Sequence, residues 1–118
     1  MIENMQPGRE LDKIIRIKLF GDITGNWTWL ESWGHNWIKD NSERGVWFEL
    51  PQYSTTWEGM RLVVEEMQQR GWDFKLEAMG LNVWVAEFGT AGSMGESSAP
   101  HATCLATLLA LCEEDTND

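Results

Sequence analysis

The chain has 118 residues, the length of one ordinary domain, which is enough to bury a hydrophobic core without a metal or disulfide bonds. Nine Lys and Arg against nineteen Asp and Glu give a net charge of −10, which argues against broad, non-specific binding to nucleic acid or to anionic membrane. No apolar run approaches the roughly 18 residues that a membrane-spanning helix needs, and residues 1–10 lack a signal-peptide pattern. We therefore expect a cytoplasmic protein.

A first helix is predicted over residues 9–20, because Pro7 and Gly8 precede an amphipathic pattern and Gly21 follows it. One face of this helix is expected to be apolar and the opposite face polar. The apolar set is Leu11, Ile14, Ile15 and Leu19, and the polar set is Arg9, Asp12, Lys13 and Arg16. The β-branched run at residues 14–17 leaves a strand open as the alternative.

Residues 22–45 are rich in tryptophan and do not favour one structure. The alternation of polar and aromatic residues at 26–29 is typical of a short strand. The four-residue spacing of Trp29, Trp33 and Trp37 is typical of one side of a helix. Residues 40–45 are predicted to form a loop, and residues 46–50 a strand that ends at a proline.

The second predicted helix follows a capping box, in which Thr55 is the N-cap and Glu58 lies three residues later; Ser54 is a competing cap. Gly71 is expected to end this helix. The apolar residues of its predicted buried face are Trp57, Met60, Val64 and Met67.

The last third of the chain predicts a β-hairpin and a third helix. Residues 72–77 alternate strictly, a turn is predicted at 79–80, and the apolar residues 81–88 predict a return strand that is central or covered on both sides. Residues 89–98 are expected to be a flexible loop before a helix that opens at Pro100. The predicted apolar stripe of this helix is Ala102, Leu105, Ala106, Leu109 and Cys112.

This order of elements predicts an α+β fold in which a small antiparallel sheet is layered with helices as an α/β/α sandwich. Four blocks carry a family resemblance: MQPGRELD at 5–12, YST at 53–55, RGWDFKL at 70–76, and the closing helix from residue 99 with Cys104 and Ala106. Together they resemble the phage ABA sandwich domain, a family of small bacteriophage proteins. The resemblance implies a single layered domain over residues 1–118, a phage or prophage origin and no enzyme activity.

Residues 22–45 depart from the family pattern and are interpreted as a Trp-rich insertion. Trp27, Trp29, Trp33 and Trp37 all fall within it, among eight tryptophans in the chain. Stacked aromatic rings could hold a nucleobase, and Arg44 could contact a phosphate. A packed mini-core or a homo-oligomer interface explains the same residues and stays open as the alternative.

The glycine-rich loop at residues 89–95 is the second candidate for ligand binding. Gly92, Ser93, Ser97 and Ser98 lie in or after this loop, just before a helix N-terminus that could bind a phosphate. No Lys follows as in a Walker loop, and Glu96 opposes an anion. A plain connection between strand and helix is the alternative.

Metal and catalytic sites are not predicted. His101 and Cys104 are spaced so that one helix face could present two metal ligands, but no further ligands occur at a recognisable spacing. Cys104 and Cys112 are therefore expected to pack as small apolar side chains. We predict no catalytic residues and no cofactor.

The preferred functional hypothesis is a non-enzymatic phage accessory protein that binds and sequesters a small nucleotide immune signal in the host cytoplasm. The alternative is an acidic protein that inhibits a host defence or replication factor by direct binding. After Lys75 the chain carries no Lys or Arg, while acidic residues such as Glu113, Glu114 and Asp115 follow, and this favours a basic partner surface. A homo-oligomer is expected in either case.

Overall fold

The structure is a computed structural model that describes residues 5–20, 27–32, 35–40, 47–93 and 95–116. Its helices are α1 (Arg9–Ile15), α2 (Trp57–Gln69) and α3 (Ala99–Thr116), and a π-helical turn, Arg16–Phe20, continues α1. The strands are β1 (Trp27–Ser32), β2 (His35–Asp40), β3 (Trp47–Glu49), β4 (Phe74–Gly80), β5 (Val83–Phe88) and β6 (Ala91–Gly92). Two antiparallel sheets result, one with strand order β1-β2-β3 and the other with order β4-β5-β6.

The first predicted helix is confirmed over residues 9–20, and the strand alternative for residues 14–17 is wrong. The fully buried residues of its apolar face are Leu11, Ile15 and Leu19. Asp12 differs from the prediction, because it is 2 % exposed and does not belong to a solvated polar face. Its carboxylate can be buried because Ser54 donates hydrogen bonds to it.

The described residues of the Trp-rich insertion form strands rather than a helix. β1 and β2 pair antiparallel along their whole length, so the strand interpretation is confirmed for residues 27–29, and the helix interpretation is wrong for the described residues. β3 pairs with β2 and confirms the strand predicted over residues 46–50. The backbone N–H and C=O groups of these segments form hydrogen bonds between strands. The four-residue spacing of the tryptophans carries no information about this pairing. The loop predicted at residues 40–45 lies almost wholly outside the described residues.

Helix α2 begins one residue later than predicted. Thr56 is the N-cap, and its hydroxyl accepts a hydrogen bond from the Gly59 amide at 3.0 Å. The predicted capping box of Thr55 and Glu58 is therefore wrong. Thr55 instead lies in the preceding turn, where its amide donates to the Gln52 carbonyl at 3.5 Å.

The buried face of α2 is confirmed only in part. Met60 and Met67 are buried as predicted, together with Val63, whereas Trp57 is 56 % exposed. Trp57 lies at the first position of the helix, where its ring meets the Trp84 ring edge-on at 5.7 Å between centroids. The helix ends as predicted, because Gly71 follows it with a φ of 93° that a side chain would disfavour.

Strands β4 and β5 confirm the predicted hairpin, with the turn at residues 81–82 rather than 79–80. A bulge between Ala78 and Gly80 lengthens β4, and Asn82 takes the left-handed conformation at a φ of 58°. β5 is the central strand, as predicted. Its Phe88 is buried and contacts Phe74 of β4, with 4.9 Å between ring centroids.

The segment at residues 89–98 is more ordered than the predicted flexible loop. It contains β6, which pairs with the end of β5. Further along, Trp84 and Glu96 exchange backbone hydrogen bonds of 2.8 and 3.0 Å. The segment thus runs along the side of β5 opposite to β4 and then leads into α3.

Helix α3 is buried on all sides over residues 99–108, so the predicted one-sided stripe is wrong. The reason is its central position: it packs against β5 and β6 on one side and against α1 and α2 on the other. Cys104 is fully buried, as expected for a small apolar side chain, but Cys112 is exposed.

The predicted α+β class, with a small antiparallel sheet layered with helices, is confirmed. The order of the layers differs from the predicted α/β/α order. Among the described residues, the layers run from the sheet of β4, β5 and β6 through α3 to α1 and α2. No helix among the described residues is long and apolar enough to cross a membrane.

Candidate functional site

A cleft of about 380 Å³ lies between the end of β3 and the first turns of α2. This volume falls within the range of small-molecule sites. The lining residues are Glu49, Leu50, Pro51, Gln52, Thr56, Glu58, Gly59, Arg61 and Leu62. A second cavity, of about 420 Å³, is lined among the described residues by the consecutive residues 5–10. The first cleft is the better candidate because separate elements bring charged, polar and apolar groups together in it.

The wall of the cleft is a rigid turn. The Gln52 carbonyl accepts hydrogen bonds from the Thr56 amide at 3.2 Å and from the Thr56 hydroxyl at 2.9 Å. The same carbonyl lies so close to α2 that a Cβ at Gly59 would be 2.2 Å from its oxygen. The turn can reach this position only because residue 59 has no side chain. These contacts fix the position of the turn against α2.

The charged side chains of the cleft are of both signs. Arg61 is exposed and forms an ion pair with Glu65 of the next helical turn at 3.0 Å. Such an exposed pair contributes little stability, so the guanidinium can exchange Glu65 for another anion at small cost. Glu49 and Glu58 add two exposed carboxylates that can accept hydrogen bonds from hydroxyl or amino groups.

The pairing of β2 with β3 connects the predicted tryptophans to this cleft. Trp37 is aligned with Glu49, a residue of the cleft lining. Trp27 and Trp29 lie on β1, which pairs with β2 and not with β3. Trp29 is aligned with Ile38, and Trp27 with Asp40. Trp33 and Arg44 lie outside the described residues.

The glycine-rich loop does not gather the groups predicted for it. Ser93 is buried, its amide donates to the Ala86 carbonyl at 2.9 Å, and its hydroxyl accepts from the Ala86 amide at 3.3 Å. Gly92 lies in β6, where a Cβ would be 3.0 Å from the Glu87 side chain. Both residues therefore hold the edge of the sheet together.

The N-terminus of α3 is also occupied from within the chain. The Ser98 hydroxyl accepts a hydrogen bond from the His101 amide at 3.3 Å, so Ser98 caps the helix. A carboxylate oxygen of Glu96 lies 3.4 Å from Nδ1 of His101 and places an acidic group there. Ser97 is exposed and lies between these two residues. This arrangement does not favour the phosphate site that the loop sequence predicts.

His101 and Cys104 have separate surroundings. Nε2 of His101 lies 2.7 Å from the Met5 carbonyl oxygen. Burial raises the pKa of the Cys104 thiol well above its ordinary value, and the nearby Asp12 charge raises it further. Such a thiol is a poor nucleophile and a poor metal ligand. In the part of the chain that the structure describes, no three His, Cys, Asp or Glu side chains group as metal ligands.

Sequence reasoning missed a buried polar cluster behind the cleft. The Asp12 carboxylate accepts hydrogen bonds from the Ser54 amide at 2.8 Å and from the Ser54 hydroxyl at 2.7 Å. The Ser54 hydroxyl also accepts from the Gly8 amide at 2.8 Å. Burial raises the pKa of Asp12, and the hydrogen bonds from Ser54 partly oppose this effect. One sequence signal could have indicated this burial: the aspartate lies between Leu11 and Ile15 and within one helical turn of both, and both were predicted to be buried.

A second contact fixes the same turn. Tyr53 is fully buried, its hydroxyl accepts a hydrogen bond from the Arg16 guanidinium at 3.2 Å, and its ring stacks on Phe20 at 5.2 Å. Arg16 thus holds Tyr53 and Asp12 holds Ser54, the two residues that follow Gln52. The cluster is an anchor for the cleft wall, because its polar groups are directed toward each other.

Comparison of the chain with models of known protein families, with curated proteins and with solved structures finds no match. The resemblance to the phage ABA sandwich domain remains a prediction from the four sequence blocks.

Proposed function

We propose that the protein acts by binding, and that its ligand is a small nucleotide held in the cleft between β3 and α2. The observation that carries this proposal is that a cleft, a cationic side chain and the register position of a tryptophan occur together. The cleft of about 380 Å³ is lined by Arg61, and its residue Glu49 pairs in register with Trp37 of the Trp-rich sheet. No comparable set of groups surrounds the glycine-rich loop in the described residues.

The chemistry of the cleft fits the parts of a nucleotide. An aromatic side chain stacked on a base contributes roughly 1–3 kcal/mol, which Trp37 can supply. Arg61 can pair with a phosphate in two-pronged geometry. Glu49 and Glu58 can accept hydrogen bonds from ribose hydroxyls or a base amino group, but they repel additional phosphates. A ligand with few negative charges, such as a cyclic dinucleotide, satisfies these conditions better than a triphosphate does.

The biological role follows from the family resemblance. A phage protein that binds such a nucleotide without converting it would lower the free concentration of an immune signal in the host cytoplasm. Sequestration needs tight binding and abundant protein, and it needs no catalytic group. A rigid cleft wall suits this task because little ordering is required when the ligand binds.

A thermal-shift screen against cyclic dinucleotides, cyclic oligonucleotides and ADP-ribose derivatives tests the proposal. A ligand at 100 times its Kd raises stability by about 2.7 kcal/mol, which is several degrees for a chain of this size. Arg61→Ala and Trp37→Ala should each remove the shift. Lys18→Ala is the matched control, since it removes an exposed positive charge outside the cleft. Glu65→Gln frees Arg61 from its ion pair and should preserve or strengthen binding.

The proposal fails if no nucleotide shifts the melting temperature, or if the cleft variants bind as well as the Lys18→Ala control. Equal loss of binding in all variants, including the control, would also contradict it, because the effect would then be one of overall charge.

A second candidate is direct inhibition of a host protein, and the exposed Trp57 favours it. This ring is 56 % exposed at the start of α2, between two residues that line the cleft. Exposed tryptophans are enriched among residues that dominate protein interfaces. A negative nucleotide screen together with a host protein that binds the wild type but not Trp57→Ser would favour inhibition. The acidic surface predicts that this association slows as salt is added.

A further inference from the structure

Strand β4 is an edge strand with an open side. β5 pairs with it along one side, and none of the described residues pairs along the other. An open edge of this kind offers unpaired backbone N–H and C=O groups to another strand. β4 has neither a proline nor a bulge before residue 78 that would discourage such pairing.

The hydrogen bonds of the sheet show which residues of β4 face the open side. The Gly89 amide donates to the Asp73 carbonyl at 3.0 Å, so residue 73 forms a hydrogen-bonded pair with β5. These pairs alternate along an antiparallel ladder, and residues 75 and 77 therefore also bond toward β5. The N–H and C=O groups of residues 74, 76 and 78 consequently point to the open edge.

We propose that a second copy of this chain pairs with β4 in antiparallel orientation, about a two-fold axis at Leu76. In this register Leu76 lies opposite Leu76 of the second copy, and Phe74 lies opposite Ala78 of the second copy. The backbone N–H and C=O groups of the residues in these pairs face the open edge. Each strand therefore supplies hydrogen-bond partners for the other. The two sheets become one continuous sheet across the axis.

Charge favours this register over the two registers nearest to it. With the axis at Leu76, each Lys75 lies directly opposite Glu77 of the other copy, in the non-hydrogen-bonded pairs where side chains are closest. Both side chains are exposed in the single chain. An axis one residue earlier would place Lys75 opposite Lys75, and an axis one residue later would place Glu77 opposite Glu77. Both alternatives oppose like charges.

Apolar contact supports the same arrangement. Phe74 and Leu76 lie on the core side of β4 and are only half-buried, because they stand at the margin of the core. Pairing brings Leu76 of the two copies together and covers part of this margin. The net charge of −10 on each copy opposes association. At physiological ionic strength the Debye length is about 8 Å, so this long-range repulsion is screened and the contacts at the edge decide.

Sedimentation analysis of the full chain over a range of concentrations tests the proposal, and we expect a reversible dimer. Glu77→Lys should weaken dimerisation by about tenfold or more, because it places two lysines opposite each other at both ends of the pairing. Glu77 is aligned with uncharged Val85 in its own sheet, so this variant should keep its fold. Lys75→Glu should also weaken the dimer, and because Lys75 is aligned with Glu87 in its own sheet, its thermal melting curve must first show that the fold is kept. An equimolar mixture of the two variants should form a heterodimer, since the charges are again complementary.

Two further measurements address the backbone. Ala78→Pro removes an N–H group that faces the edge while leaving the hydrogen bonds to β5, and it should also weaken the dimer. In wild-type protein, amide hydrogen exchange at Leu76 and Ala78 should slow as concentration rises, while the exchange at exposed Lys18 should not change. Each variant is checked by its thermal melting curve.

A wild-type chain that remains monomeric at high concentration would overturn the proposal. A dimer that Glu77→Lys leaves intact would also overturn it, as would a mixture of the charge variants that does not associate. Pairing of β4 with a strand of a different protein, in the absence of self-association, would assign the edge to another partner. The pairing is independent of the cleft, so Arg61→Ala should not alter it.

Discussion

Replacing Asp12 by alanine removes the acceptor of two buried hydrogen bonds. They come from the Ser54 amide at 2.8 Å and the Ser54 hydroxyl at 2.7 Å. A hydrogen bond to a charged group contributes about 1.5–3 kcal/mol, but burial of the carboxylate costs part of this gain. The hydroxyl keeps the Gly8 carbonyl as an alternative acceptor at 3.3 Å, whereas the Ser54 amide loses its partner. We expect Asp12→Ala to lower the free energy of unfolding by about 2–4 kcal/mol.

The variant Asp12→Asn separates hydrogen bonding from charge. Its amide oxygen can accept both bonds, and it removes the buried charge. Because burial raises the pKa of Asp12 in the folded protein, the folded state binds this proton more tightly than the unfolded chain does. The stability that Asp12 contributes is therefore fully present below its unfolded pKa of about 3.9 and decreases as pH rises toward the folded pKa. Over that interval Asp12→Asn should become progressively more stable relative to wild type.

Urea denaturation from pH 3.5 to pH 8 measures both effects. Glu10→Ala is the control, because Glu10 is an exposed acid on the same helix whose ion pair with Lys13, at 3.3 Å, should contribute less than about 1 kcal/mol. An Asp12→Ala variant that loses no more stability than the control would contradict the role of these hydrogen bonds. Stabilities of wild type and Asp12→Asn that change in parallel with pH would contradict the raised pKa of Asp12.

Three other predictions concern the core and the cleft wall. Thr103 has a buried hydroxyl with no hydrogen-bond partner among the described residues, so Thr103→Val should stabilise the protein by about 1 kcal/mol in thermal unfolding. Thr107→Val is the matched control and should cost about 1 kcal/mol, because its hydroxyl donates to the Thr103 carbonyl at 2.8 Å. In a thiol-reagent assay only Cys112 should react in the folded protein, and fast labelling of Cys104 without denaturant would contradict its buried, raised-pKa state. Gly59→Ala should destabilise by roughly 1–3 kcal/mol in urea unfolding, although this change normally stabilises a helix; unchanged stability would contradict the close packing of the preceding turn.

Much of the secondary structure could be predicted because it depends on neighbours along the chain. The end of α2 at Gly71 and the hairpin of β4 and β5 follow from turn residues and from alternation. The burial of Leu11, Ile15 and Leu19 follows from their four-residue spacing. These features need no knowledge of what packs against them.

The candidate site was predictable only in fragments. The tryptophans of the insertion pointed to its neighbourhood, but Arg61 and Glu58 carry no motif and were not proposed. Their place in a cleft depends on a turn that reaches α2 at Gly59, a contact between segments that local patterns do not encode. The loop residue Ser93 was proposed for a ligand and instead bonds to β5, for the same reason.

By itself the sequence determined the α+β class, the number and order of the helices, and which positions are apolar, since propensity and periodicity are local properties. Only the tertiary structure decided that α3 is buried on all sides and that Trp57 stays exposed. It also decided that Asp12 is buried. Helical periodicity predicts that a polar residue on the polar face is exposed to solvent. Asp12 is buried instead, because Ser54, from a distant segment, donates hydrogen bonds to its carboxylate.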